Sequence, residues 1–156
     1  CCDTSSEEWL DLEPTGIMDE LPSLDLFDPT EKTCLIVDDY EFEASNKETK
    51  KRLSTLFRFV SSHRNLSIMC GYQSWFDCPN IARKCANCYL IYKPNGHLEL
   101  SNIANRCGMK ADDMHYIFSN ICNGVYDSLM VDKTINTPAE LRKNVFQRIE
   151  LCDTEC

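Results

Sequence analysis

Runs of apolar residues of strand length alternate along this chain with stretches whose apolar positions recur at helical spacing. The stretch "TCLIVDD" over 33–39 is apolar until it stops at two adjacent aspartates, the pattern of a strand covered on both faces. In "SNKETKKRLSTLFRFVSSHRN", Leu53, Leu56, Phe57 and Val60 fall at i, i+3, i+4 and i+7, which predicts an amphipathic helix with a basic outer face, opened by Ser45 or Asn46 as N-cap. "LSIMCGYQ" predicts a second strand ending in Gln73, and "NCYLIYK" a third, with a Pro79 loop and a short "NIARKC" turn or helix between them. Helices are expected in "LELSNIANRC", closed by Gly108, and from about Asp112 to Cys122, followed by a strand in "DSLMVDK". The tail "TPAELRKNVFQRIEL" suits either a helix begun at Thr137 with Pro138 in its first turn, or an edge strand. The alternation predicts an α/β fold, with a mainly parallel central sheet and crossover helices.

Length and charge narrow this picture. A chain of 156 residues has enough surface to bury for one core, so one domain is expected. No apolar stretch reaches the roughly 20 residues of a membrane span, so no membrane partner is expected. The formal charge of −9 is concentrated at one end: residues 1–33 hold ten acidic side chains against Lys32 alone, while 34–156 hold fifteen of each sign. Residues 1–33, broken by Pro14, Pro22 and Pro29, read as an acidic leader arm ahead of a body at 34–156. Apolar residues such as Trp9, Leu21, Leu24 and Phe27 imply that parts of the arm dock. A neutral body does not advertise nucleic-acid binding, so DNA contacts would come from local loops or an assembled ring.

Eleven cysteines without a small-scaffold spacing favour reduced thiols and an intracellular, reducing compartment. Cys85-x-x-Cys88, with Cys78 and Cys107 around it, contains one zinc knuckle where a strong signal has two. His63, His97 and His115 follow no metal-binding spacing. The three aromatics of "YQSWF" suit packing, or stacking against single-stranded nucleic acid.

In a parallel sheet, ligands collect at the carboxyl ends of the strands. Asp38 and Asp39 end one predicted strand and Gln73 the next, so two carboxylates and a neutral amide are expected on one rim. One carboxylate can hold magnesium through water against nucleotide phosphates, and its neighbour can orient or deprotonate an attacking water. The amide, at once donor and acceptor, can sense the terminal phosphate or position that water.

The stretch from "EKTCLIVDDYEFEASN" through "GYQSWFDCPNIARKCANCYLIYKP" resembles the Walker B to sensor region of DNA-packaging ATPases of large DNA viruses, within the FtsK/HerA superfamily of P-loop translocases. The "LPSLDLFDP" approach, the helix ending at "HRN", "P-x-I-x-R" and the late "DSLMVD" followed by "LRKN" extend the likeness over about residues 20–150. The resemblance implies Mg2+ and ATP as cofactors, with Asp38 as the magnesium-supporting aspartate, Asp39 as the residue acting on water and Gln73 as the sensor. It offers Arg83, and more weakly Arg106, as an arginine acting on a neighbouring subunit's nucleotide. It further implies a homo-oligomeric ring, double-stranded DNA as substrate and capsid proteins as possible partners. One departure is large: none of the five glycines is followed by lysine, so the phosphate-binding loop is missing. The chain is therefore expected to be the C-terminal portion of a longer ATPase or a degenerate copy, unable to hydrolyse ATP unaided. A completing strand is expected beside "CLIVDD". The alternatives are a non-catalytic interaction module that kept the sheet, and a small zinc-supported binding protein organised by Cys78, Cys85, Cys88 and Cys107.

Overall fold

A computed structural model describes residues 13–40, 47–94, 96–134 and 139–151. The chain is mixed α/β and divides into two compact units, Cys1–Cys85 and Ala86–Cys156, where one core was expected.

In the first unit, β1 (Thr33–Asp38) leads into a helix, α1 (Lys47–Thr55), that continues through a π-helical turn, Leu56–Val60, into Ser61–His63. Asn65, at φ 46°, turns the chain into β2 (Leu66–Gly71). Asparagine is one of the few residues with a side chain that tolerate this left-handed backbone. A single helix carries the chain back to the end of the sheet where it began, so β2 pairs parallel to β1, from Thr33 opposite Leu66 to Asp38 opposite Gly71. Helical periodicity places Leu53, Leu56 and Val60 in the core, as expected, where they meet Leu66 of β2. The N-cap candidates Ser45 and Asn46 lie outside the described residues.

The described part of the acidic leader is built into this core. Leu21 and Phe27 are buried in the same cluster as Leu56, with Leu24 packed against it. Burying such side chains is worth about 1.5–3 kcal/mol each. Their backbone is held by arginines of the helical segment: Arg52 donates to the Leu21 carbonyl at 3.3 Å, and Arg64 to those of Leu24 and Phe27 at 2.9 and 3.2 Å. A short helix, α2 (Asn80–Cys85), closes the unit.

The second unit departs from the expected parallel sheet. Strands β3 (Cys88–Tyr92), β4 (Ser128–Asp132), β5 (Glu140–Lys143) and β6 (Gln147–Ile149) form an antiparallel sheet in that order. Between β3 and β4 lie two helices, α3 (His97–Cys107) and α4 (Ala111–Tyr116), the latter continued by a π-helical turn, Ile117–Ile121. One crossing helix returns the chain for a parallel strand; a second leaves it at the far end, and the next strand runs antiparallel. Gly108 closes α3 at φ 76°, as expected. Tyr89 and Ile91 are buried opposite Val131 and Leu129, so one face of the sheet is covered. The tail resolves in favour of strands: Asn144 and Val145, at φ 49° and 69°, turn β5 into β6. Thr137 and Pro138 lie outside the described residues.

Candidate functional site at the carboxyl rim of the parallel pair

Asp38, Asp39 and Gln73 sit together at the carboxyl end of the β1–β2 pair. Asp38 is the last residue of β1 and stands opposite Gly71, the last residue of β2. The N–H of Asp39 donates to the Gly71 carbonyl at 3.0 Å, extending the ladder by one rung. Asp39 then takes φ 44°, a left-handed conformation that ends the strand. Gln73 Nε2 donates to Asp39 Oδ2 at 2.6 Å, so the amide and the second carboxylate are held against each other from adjacent loops.

Gly71 is a member of the site that sequence reasoning missed. A Cβ on this residue would stand 2.7 Å from Asp38 Oδ1, so the Asp38 carboxylate occupies the space a side chain would fill. A glycine inside the predicted strand "LSIMCGYQ" was the available signal, since glycine in a strand often marks a close approach. The strand stops at Gly71, so Gln73 lies in the loop two residues beyond it instead of ending it. Tyr72 is a second omission. Its hydroxyl is buried with no hydrogen-bond partner among the described residues, and burial, then the nearby Cys70, Cys78 and Asp39, holds its phenol well above the usual range.

The neighbouring thiols are poor nucleophiles. Burial pushes Cys70 up to about 12, and pushes Cys78 up to about 11 against the lowering effect of Arg83. Both stay protonated at neutral pH. Arg83, on α2, sets its guanidinium 5.2 Å from the centre of the Trp75 ring, a cation–π arrangement. Phe76 of the same "YQSWF" stretch is exposed. Arg106 belongs to the second unit, where its carbonyl accepts from Lys133 Nζ at 3.3 Å. In that unit the rings of His97 and His115, far apart in sequence, lie 4.1 Å apart between centroids.

Among the described residues no three His, Cys, Asp or Glu side chains converge as a metal-binding group, Cys78, Cys85, Cys88 and Cys107 included. Asp38 is solvent-exposed, and a magnesium ion held by one carboxylate through water needs no protein cage. A shallow depression of about 430 Å3 lies at the opposite, amino-terminal end of the strands, among Lys32, Thr33, Asn65 and Leu66. It contains no acid–base pair, and the rim has the better claim on chemical grounds. Among the described residues no helix is long and apolar enough to cross a membrane. The sequence matches no family model, and comparison with curated proteins and with solved structures finds no match.

Proposed function

We propose that the first unit supplies the Walker B and sensor half of a magnesium-dependent ATP-hydrolysing site in a DNA translocase of the FtsK/HerA type. The observation that carries this reading is the 2.6 Å hydrogen bond from Gln73 to Asp39 on the rim where Asp38 also ends its strand. In this reading Asp38 holds Mg2+ through water, and the ion, when bound, neutralises phosphate charge. Asp39 accepts the proton of the attacking water, and Gln73, already bonded to that carboxylate, fixes its orientation. Arg83 acts on the nucleotide of a neighbouring subunit in a homo-oligomeric ring around double-stranded DNA, with capsid proteins as further partners in a reducing cell interior. The β1–β2 pair then belongs to a mainly parallel P-loop core, completed by a strand bearing a Gly-Lys-Ser/Thr loop that these 156 residues do not contain.

The test is to fuse such a strand and loop upstream and to measure magnesium-dependent ATP hydrolysis. Asp39→Asn is expected to lower turnover by about 10²-fold or more, the scale of a lost general base. Full turnover in that variant refutes the role given to Asp39. The absence of any Gly-Lys pair favours a second reading, a non-catalytic interaction module. That reading is supported if the fused protein, correctly folded, binds no nucleotide.

A further inference from the structure

The outer face of α1 and of the π-helical turn that continues it is a cationic stripe with no part in the core. Lys47, Lys50, Lys51 and Arg58 are all exposed, whereas Leu53, Leu56 and Val60 are buried on the other side. At about 100° per residue through α1, Lys47 and Lys51 fall within roughly 40° of each other on the side away from Leu53, and Lys50 lies about 60° from Lys47; Arg58, exposed in the π-helical turn that follows, continues the cationic surface. The only acidic side chain between Lys47 and His63 is Glu48, whose carboxylate lies 3.9 Å from Arg52. Arg52 is itself engaged with the leader backbone, so the stripe is distinct from the arginines that hold the fold together.

We infer that this stripe is a docking surface for the phosphate backbone of duplex DNA. The inference deepens the proposed function by naming the face that would meet DNA. Charge complementarity supports it: from Lys47 to Arg58 the cations are spread over about 16 Å of helix, a length along which a duplex carries on the order of ten phosphates. At physiological salt, interactions are screened beyond about 8 Å, so the local stripe governs contact despite the acidic total. A membrane surface fits poorly, because the apolar face of this helix is already buried in the core. A single strand fits poorly too. It is usually held in a groove with stacking platforms, whereas this surface is convex and its flanking Phe59 already stacks on His63 at 4.5 Å.

The experiment is fluorescence anisotropy of a labelled 30-base-pair duplex against the full chain, titrated with salt from 50 to 200 mM. Parallel arms use the single strand of the same sequence and a poly-glutamate peptide. Four phosphate contacts predict a slope of log affinity on log salt of about −3.6, a fall of roughly 10²-fold over that range. Lys50→Glu, Lys51→Glu and Arg58→Glu together are expected to weaken duplex binding at least tenfold at 50 mM salt. The conservative Lys50→Gln, Lys51→Gln, Arg58→Gln set, which tests the same contacts with less risk to folding, should flatten the slope by about 2.7. A control with the same charge change on the second unit, Lys93→Glu, Lys110→Glu and Arg148→Glu, should change affinity less than twofold. No duplex binding at 50 mM salt, an equal loss in the control, or preference for the single strand or the peptide overturns the inference. Asp39-dependent hydrolysis in the fused protein is a separate readout. Hydrolysis without stripe-dependent DNA binding defeats this inference alone, and stripe-dependent binding without hydrolysis defeats the proposed function alone.

Discussion

At the scale of single residues, the rim depends on a carboxylate resting where a side chain is missing. Gly71→Ala puts a methyl group 2.7 Å from Asp38 Oδ1, so the carboxylate must move aside. The expected cost is about 1–2 kcal/mol in urea unfolding, the usual scale for a local overpacking that a side chain can partly relieve. Because the clash is with Asp38 itself, the cost should largely vanish when Gly71→Ala is made in an Asp38→Ala background. A cost that persists there would mean that the glycine serves the backbone, not the carboxylate. The polar identities of Asp38, Asp39 and Gln73 were legible in the sequence because each interrupts or follows an apolar run. At Gly71 the sequence carried only a cue, a glycine within a strand pattern; its contact with the Asp38 carboxylate and the burial of the Tyr72 hydroxyl were not legible, because they depend on residues brought together by folding.

At the scale of elements, the second unit is clamped by one carboxylate. Asp127 accepts from Lys143 Nζ at 2.7 Å, from Asn144 Nδ2 at 3.0 Å and from the Gly124 N–H at 2.8 Å, tying the loop before β4 to the β5–β6 turn. These donors, the Lys143 hydrogen bond foremost, lower the Asp127 carboxyl from 3.8 to about 2. A carboxylate whose folded value is depressed stabilises the fold above its unfolded value, and that contribution is lost as pH falls through the folded one. Asp127→Asn should therefore lower the urea midpoint at pH 7, with the gap to the unmodified chain closing between pH 4 and pH 2. A gap that stays constant across that window would rule out charge as the source. The clamp was invisible beforehand because "NGVYD" and "RKN" lie in separate segments whose meeting depends on sheet order. The helices, by contrast, were legible: the spacing of Leu53, Leu56 and Val60 and the glycine at 108 are local signals, and both were met.

At the scale of the whole molecule, two units imply two cores. Leu56 in the first and Leu129 in the second are each almost wholly buried. Leu56→Ala and Leu129→Ala are expected to cost about 2–5 kcal/mol each, the range for emptying a leucine site. If each unit is held by its own core, the double variant should equal the sum within about 0.5 kcal/mol. A larger coupling energy in the double-mutant cycle would show that the two cores respond as one.

The sequence by itself determined where β1 to β4 and the longer helices form and which side of the first helix turns inward, because periodicity and capping act over a few residues. It left the tail open between helix and strand, and it read the first two strands as covered on both faces, whereas Cys34, Ile36 and Met69 are exposed because only two strands pair there among the described residues. It could not decide whether β4 runs with or against β3, since that turns on how many helices cross between them and on which edges pair. That parts of the leader dock was legible from Leu21, Leu24 and Phe27, and they do; that they dock on the core formed by Leu53, Leu56, Val60 and Leu66 was decided by tertiary structure. The rim shows both: local pattern supplied Asp38, Asp39 and Gln73, and strand pairing set Gln73 on Asp39 and Asp38 over Gly71, because long-range distance is not encoded in any short window of residues.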